Sequence, residues 1–291
     1  MIDHNGRDRH NLRRRRASIV VSVVSVVVMV LSETLTLMRV EPFYSWNTPI
    51  CWTAFILFAD SIVFAARGRS WIRSTPREFA WLALLSIPLW LVFEGYNLVI
   101  RNWYYVGLPE NWWLRMFGYA WSFATIWPAV FEGADLVAVA REAGRSWPPA
   151  PPAPLALPAP LAPPTLSIAV GAVMLALPFV VSHGVARYMA APVWLGFLFL
   201  LDPINARLGG PSLANDRNRT INLLVSGLLC GVLWEFWNYW SGAKWHYTVP
   251  IMERVKIFEM PLPGYLGFPP FALECFVMFT TVRLMFRRLV E

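Results

Sequence analysis

Six acidic side chains lie inside apolar stretches of the sequence, and they fall into two matching sets. They are Asp60, Glu94 and Glu132 in the first half and Asp202, Glu235 and Glu274 in the second half. A charged side chain at the centre of a bilayer costs about 2.5–3.5 kcal/mol on insertion scales. Burial favours the neutral form of a carboxyl group, and a neutral acid can donate a proton. The six acids therefore need either partners or a chemical role.

Two explanations of these acids fit the sequence. In the structural explanation they hydrogen-bond between helices, as protonated acids, and hold the bundle together. In the functional explanation they surround a polar pocket. Asn97 and Asn238 each lie three residues after an acid, Glu94 and Glu235 respectively, so each amide shares a helix face with that acid.

Other residue types repeat between the two halves at a nearly constant separation. The offset is 141 positions for the first two pairs below and 142 for the others. The pairs are Glu94 and Glu235, Asn97 and Asn238, Trp103 and Trp245, Tyr105 and Tyr247, Pro128 and Pro270, Glu132 and Glu274, and Asp60 and Asp202. We interpret the chain as two copies of one unit.

The last acid of each set follows a proline by four residues, as Glu274 follows Pro270. The proline either bends a helix next to the acid or marks a helix start, where proline is favoured. Because consecutive antiparallel helices pack as neighbours, we expect Glu235 to face Glu274. Two carboxyl groups close together in a low dielectric cannot both ionise cheaply, so such a pair provides one acid and one base.

The composition is that of a membrane protein, with 57% hydrophobic and 15% charged residues. The apolar stretches long enough to cross a bilayer are 17–38, 49–66, 79–100, 116–140, 166–186, 191–206, 220–241 and 266–286. We predict an all-α integral membrane protein with about eight transmembrane helices in two tandem four-helix repeats. An even number of spans per repeat implies a pseudo-two-fold axis along the membrane normal.

The predicted organisation has four parts. A basic cytoplasmic N-terminus covers 1–16, repeat 1 covers 17–145, a proline-rich cytoplasmic linker covers 146–165 and repeat 2 covers 166–291. If the spans alternate, 18 of the 25 Lys and Arg residues lie on one side. This bias places both termini in the cytoplasm, in a bacterial-type inner membrane. It also explains the net charge of +7 without a nucleic-acid partner.

The sequence contains no dinucleotide fingerprint, phosphate-binding loop, zinc-protease motif or Cys/His metal cluster. We therefore expect no cofactor and no metal. The bilayer and a lipid are the expected partners.

The second half resembles the lycopene cyclase domain, the small integral-membrane type of carotenoid biosynthesis. The motifs that carry the resemblance are Trp234-Glu235, Trp245-His246-Tyr247, Gly264, Gly267, Pro270 and Glu274. The family's Pro-x-Glu-Glu motif is Pro-x-x-x-Glu here, and the family unit has three spans where this chain has four. The tandem units of the family agree with the internal duplication.

The resemblance implies an acid-initiated cyclisation or isomerisation of a polyene lipid, without a cofactor. It implies catalytic roles for Glu235 and Glu274, with Glu94 and Glu132 equivalent or structural in the first half. It also implies substrate-binding residues, of which the asparagines would orient the acids and the aromatic rings would stabilise a cation. They are Asn97, Asn238, Trp234, Trp237, Trp245, Tyr247, Trp103 and Tyr105. The alternative is a non-catalytic membrane protein, either a transporter or a binding or structural subunit, that uses the same acids.

Overall fold

The computed structural model describes residues 4–143 and 163–290, with side chains from residue 15 to residue 287. Its long helices are α1 (His4–Leu37), α2 (Phe43–Arg67), α4 (Pro76–Ile100), α5 (Trp112–Ala143), α6 (Pro164–Val180), α8 (Ala190–Arg207), α9 (Arg217–Trp240) and α10 (Phe268–Val290). Two one-turn helices, α3 (Trp71–Ser74) and α7 (His183–Ala186), lie between them, and 3-10 turns precede α9 and α10. The predicted all-α class is confirmed by this architecture.

Six of these helices are long and apolar enough to cross a membrane, as judged by length and composition. The other two predicted spans are also helical but fall short of that standard. Helix α6 has only 17 residues because it ends at Val180, before the bend at Val181. Helix α8 carries Asp202, Asn205 and Arg207 in its last turns, which lower its hydropathy. The chain is a multi-pass membrane protein, and the count of eight spans stays a prediction.

The first helix pair shows the packing expected when lipid surrounds the protein. Buried serines of α1, including Ser25 and Ser32, face the bundle, while Val23 and Val27 are more than half exposed. The Ser32 hydroxyl donates to Asn47 of α2 at 2.7 Å. Small and hydroxyl side chains allow helices to approach closely in a membrane, and aliphatic side chains suit the lipid face.

Helices α9 and α10 cross closely at two glycines one turn apart. A Cβ atom at Gly227 would lie 2.4 Å from the carbonyl oxygen of Phe268, and one at Gly231 would lie 2.2 Å from the Phe268 ring. This close crossing holds the start of α10 against the middle of α9.

The two halves of the chain meet in a two-stranded antiparallel ribbon. Strand β1 (Trp103–Val106) follows α4, and strand β2 (Lys244–Tyr247) follows α9. Trp103 pairs with Tyr247, and Tyr105 pairs with Trp245. We call this end of the bundle, where α4 and α9 finish and α5 and α10 begin, the ribbon end. A second small hairpin, β3 (Lys256–Ile257) with β4 (Met260–Pro261), lies between β2 and α10.

The two matched prolines differ in position. Pro128 lies in the interior of α5, whereas Pro270 is in the first turn of α10. Pro128 therefore has the position of a proline that bends a helix beside an acid, and Pro270 has that of a proline at a favoured helix start. The predicted linker 146–165 lies outside the described residues as far as residue 162, and α6 begins at Pro164.

Candidate functional site

A cavity of about 520 Å³ opens into the bundle at the ribbon end. Seven tryptophans line it, and they come from α2, α4, α8, α9 and both strands. They are Trp46, Trp52, Trp90, Trp103, Trp194, Trp234 and Trp245. Phe123 of α5 and Phe271 of α10 complete the deep wall. A cavity of this size with an aromatic lining can hold an apolar ligand.

The ribbon presents alternate side chains to this cavity. Trp103, Tyr105, Trp245 and Tyr247 all line it. On the other face of the ribbon, the rings of Tyr104 and His246 lie 5.7 Å apart. Since successive side chains of a strand point to opposite faces, one face of the ribbon is built entirely from the repeated Trp-x-Tyr motif.

In the first half, the carboxyl group of Glu94 lies behind this aromatic wall. Its Oε1 accepts hydrogen bonds from the Tyr105 hydroxyl at 2.5 Å, from Trp90 Nε1 at 2.8 Å and from Trp103 Nε1 at 3.2 Å. Glu94 itself is partly exposed. Three donors from two elements, α4 and β1, therefore converge on one oxygen of this carboxyl group.

In the second half, Glu235 occupies the matching position but is fully buried. Its Oε1 accepts one hydrogen bond, from the Tyr247 hydroxyl at 2.8 Å. Trp245 Nε1 donates to the Tyr247 oxygen at 2.8 Å, and both Trp245 and the backbone N–H of Met260 also lie within reach of the acid. Oε2 of Glu235 has no partner of normal geometry among the described residues. A buried oxygen without a donor suits a protonated carboxyl group better than an anion.

Both tyrosines keep their protons in this arrangement. Burial, and then the neighbouring Glu235, raise the pKa of Tyr247 well above its usual value. Burial and Glu94 do the same to the pKa of Tyr105. Each hydroxyl group is therefore neutral near pH 7 and links a carboxyl group to the cavity. We call Glu94 with Tyr105, and Glu235 with Tyr247, the two carboxyl–tyrosine pairs.

Asn97 and Asn238 orient the strands rather than the acids. The Asn97 amide donates to the Trp103 carbonyl at 2.8 Å and accepts from the Trp103 N–H at 3.2 Å. Asn238 makes the same two bonds to Trp245, each at 2.9 Å. These clamps set where each strand leaves its helix, so that the tyrosine two residues later reaches its acid.

The other two predicted catalytic acids lie apart from the carboxyl–tyrosine pairs. Glu274 is fully buried, and its Oε1 accepts from the backbone N–H of Phe197 at 3.0 Å. Glu132 is also fully buried, and neither of its oxygens has a hydrogen-bond partner of normal geometry within the described chain. No hydrogen bond joins Glu235 to Glu274 in that part of the chain. Neither Glu132 nor Glu274 lines the cavity.

The third matched pair of acids caps short helical turns. Asp60 accepts from the backbone N–H of Ile72 at 2.9 Å, and Asp202 accepts from that of Leu213 at 2.8 Å. Arg73 lies 3.6 Å from Asp60, whereas the Ser212 hydroxyl donates to Asp202 at 2.8 Å. Carboxyl groups commonly cap helical turns in this way, and here they fix the loops at the end of the bundle opposite the ribbon.

The aromatic contacts also run crosswise between the halves. Trp52 of α2 lies 5.8 Å from Trp234 of α9, and Trp194 of α8 lies 5.1 Å from Phe93 of α4, as measured between ring centroids. Trp237 lies behind this layer, 4.8 Å from Trp52, and does not line the cavity.

Sequence reasoning missed several cavity residues, including Trp52, Trp90 and Trp194. One signal was available, because Trp52 and Trp194 are also 142 positions apart. Trp90 has no aromatic counterpart at either offset, since Gly231 and Val232 occupy those positions.

A small ionic cluster lies beside the ribbon. The carboxyl group of Glu259 contacts Lys244 Nζ at 3.2 Å and His246 Nδ1 at 2.8 Å. Burial alone would raise the pKa of Glu259, but the bonds from His246 and Lys244 outweigh it and hold the pKa below its usual value. The cluster ties the segment before α10, which forms part of the cavity wall, to strand β2.

The bundle, its apolar helices and the aromatic cavity define a multi-pass membrane protein with an internal cavity. No protein family, curated protein or solved structure matches the chain.

Proposed function

We propose that this protein catalyses the acid-initiated cyclisation or isomerisation of a polyene lipid, held in the aromatic cavity. The observation that carries the proposal is that two carboxyl–tyrosine pairs, one from each half, converge on a single cavity rich in tryptophan. A proton donor, a proton acceptor and aromatic faces are the groups that such a reaction needs.

The chemistry requires no change of redox state. A proton adds to a carbon–carbon double bond, and the resulting carbocation is attacked by a neighbouring double bond, which forms the ring bond. Loss of a proton from an adjacent carbon restores a double bond, so the product is an isomer of the substrate. Tryptophan faces stabilise a desolvated cation by about 2 kcal/mol or more.

The two carboxyl–tyrosine pairs suit different steps. Glu235 is enclosed and has a single donor, so it acts as the acid, and the Tyr247 hydroxyl relays its proton to the cavity. In this relay the bond in which Tyr247 donates to Glu235 reverses. The Tyr247 oxygen then accepts from both Trp245 and the acid, since a hydroxyl group has two lone pairs, and its own proton passes to the substrate. Glu94 has three donors on one oxygen, so in this proposal it balances the carbocation and accepts the departing proton through Tyr105.

The same proposal includes the architecture predicted from the sequence. Helices α6 and α8 would complete eight spans, and the two halves would be related by a two-fold axis along the membrane normal. Reciprocal strand pairing and the crosswise ring contacts support this axis. The ribbon end would face outward, in an inner membrane with both termini in the cytoplasm. Reporter fusions in the 146–165 linker and after Glu291 should both report cytoplasm, and an external signal would contradict this arrangement.

The test of function is pigment and lipid analysis of cells that make linear polyenes, with and without the protein. We expect a new product of unchanged mass. In deuterated water, each acid-initiated closure should place one deuterium in the product, because the added proton comes from solvent. A Glu235→Gln variant is the matched control and should lower product formation by about 10²–10⁴-fold. Unchanged pigment and lipid profiles with folded wild-type protein would contradict the proposal.

A second candidate, a proton-coupled transporter, is favoured by the acids at the end opposite the ribbon. Glu132 is buried and interacts electrostatically with Asp60 and Asp135, whose partners include Arg73 and Arg67. This arrangement resembles a proton-carrying site more than a packing contact. Proteoliposomes with an imposed proton gradient would distinguish the two functions, since a transporter moves a ligand without changing it and an isomerase alters its bonds.

A further inference from the structure

The charged side chains on the cavity wall are Arg115 and Lys244, and both are cationic. Within the described chain, no acidic residue lines the cavity, since Glu94 and Glu235 lie behind their tyrosines. A wall that is otherwise mostly aromatic and aliphatic therefore carries charge of one sign. Such a wall favours a ligand that is apolar along its length and negative at one end.

Of the two cations, Lys244 already has a counter-ion. Its ammonium group lies 3.2 Å from Glu259 Oε1 and donates to the Tyr239 carbonyl at 3.1 Å. It also lies 5.3 Å from the centre of the Tyr239 ring. Lys244 is therefore held by the protein itself.

Arg115 lacks such a partner. Its Nε donates to the Pro109 carbonyl at 3.0 Å, and among residues 15–143 and 163–287 its guanidinium group forms no ion pair. The residue is partly buried on the cavity wall. Withdrawing a cation from water without a counter-ion costs free energy, and an anionic ligand group would offset that cost.

The position of Arg115 gives the ligand a direction. Arg115 lies in the first turn of α5, and Tyr119, Phe123 and Ile126 continue along the same wall into the bundle. At 1.5 Å per residue, Ile126 lies about 16 Å deeper than Arg115. A head group at Arg115 would therefore leave a chain lying along α5 among the tryptophans.

We propose that Arg115 binds the anionic head, a carboxylate or a phosphate, of an isoprenoid-type lipid whose hydrocarbon chain fills the aromatic cavity. This rests on the proposed function in taking the cavity as the substrate site. The planar guanidinium group offers paired donors that match a carboxylate or a phosphate, so the head anchors the chain while the double bonds reach the carboxyl–tyrosine pairs.

The experiment compares two polyenes that differ only at the head, all-trans-retinoate and all-trans-retinol. Binding to the purified protein in detergent is followed by quenching of tryptophan fluorescence. We expect wild-type protein to prefer retinoate by roughly tenfold, since a hydrogen bond to a charged group contributes about that much. Arg115→Gln should lose this preference and keep its affinity for retinol, which also reports an intact cavity. Arg115→Lys keeps the positive charge but lacks the paired donors of the guanidinium group, so it should retain part of the preference for retinoate.

The matched control is Arg187→Gln, because Arg187 is exposed at the ribbon end and does not line the cavity. This variant should behave as wild type. Equal wild-type affinities for the two polyenes, or a preference that survives in Arg115→Gln, would overturn the proposal. Because binding needs no turnover, an inactive protein that still prefers retinoate would contradict the proposed function and leave this site standing.

A second arm identifies the source of the head group. Wild-type protein is placed in nanodiscs of phosphatidylcholine or of phosphatidylcholine with phosphatidylglycerol. The anionic bilayer repels retinoate in any variant, so the retinoate preference of Arg115→Gln in the same nanodiscs is subtracted, which leaves the part that depends on Arg115. A preference for retinoate that persists in both bilayers supports a substrate head. Loss of the Arg115-dependent part in the anionic bilayer would assign the site to a membrane phospholipid and overturn the substrate assignment.

Discussion

The two carboxyl–tyrosine pairs have the same residue types but different surroundings. Glu235 is fully buried with one donor on its carboxyl group, and Glu94 is partly exposed with three. The tryptophan two residues before each tyrosine causes part of this difference. Trp103 donates directly to the acid, whereas Trp245 donates to the tyrosine oxygen. Trp90, which has no counterpart on α9, supplies the third donor.

Residues that match in type and spacing therefore do not have matching surroundings. The proposed reaction first adds and then removes a proton, so it can use one carboxyl group in each step.

The largest expected effect separates the two acids. Glu235→Gln keeps the size and the bond from Tyr247 but removes the proton, so activity should fall by about 10²–10⁴-fold, the usual contribution of a general acid. Glu94→Gln should reduce activity less, because its aromatic donors and the cavity remain. Product formation from a polyene in D₂O measures both variants. Equal losses would show that the two pairs are interchangeable.

Removal of the hydroxyl groups should sharpen the same contrast. We expect Tyr247→Phe to lower activity by roughly 10²-fold, because it breaks the relay and strands the buried Glu235 without its donor. Tyr105→Phe leaves Glu94 with two tryptophan donors and should be milder. Steady-state rates of folded variants decide this. A milder effect at Tyr247 would reverse the assignment of acid and base.

Removal of the two asparagine clamps should lower the stability of the protein by different amounts and should not act on the chemistry directly. Asn238 is fully buried, and Asn238→Ala leaves the N–H and carbonyl groups of Trp245 without these partners, which should cost about 1–3 kcal/mol of unfolding free energy. Asn97 is only partly buried, so Asn97→Ala should fall at the lower end of that range. Thermal unfolding in detergent, followed by tryptophan fluorescence, measures both. A larger loss at Asn97 would mean that the first strand is the better ordered one.

The smallest effect concerns the Glu259 cluster, which has no matched acid in the first half. The pKa of Glu259 is lowered in the folded protein, so its stabilising contribution is present above the usual carboxyl pKa of 4.5 and is lost as the pH falls below it. A spin label at Met252→Cys should gain mobility in that acidic range. The native cysteines are buried and should not react with the label.

Glu259→Gln should make the label mobile at neutral pH and remove the pH dependence. Glu253→Gln, an exposed acid in the same segment, is the control and should titrate as wild type. If the mobility of the label changes neither with pH nor in Glu259→Gln, then the hydrophobic contacts of the cavity wall alone hold the segment in place.

Much of the candidate site could be read from residue types at fixed offsets. The sequence marked Glu94, Glu235, Tyr105 and Tyr247 as matched, and the structure joins them into two hydrogen-bonded pairs. The expected neighbour of Glu235 was Glu274, yet within the described residues Glu274 bonds to Phe197 of α8. The reasoning from adjacent helices could not include the ribbon, which brings a tyrosine to each acid before the next helix begins.

The sequence by itself determined the apolar helices, because each needs only a local run of residues that lipid or a protein interior will accept. It also determined which residues repeat. The tertiary structure decided which groups meet. Tyr105 and Trp245, for example, come together only because two strands 141 positions apart pair. It also placed Arg115 on the cavity wall with no counter-ion among the described side chains, since that depends on how the ends of α5, the ribbon and the Glu259 segment come together in space.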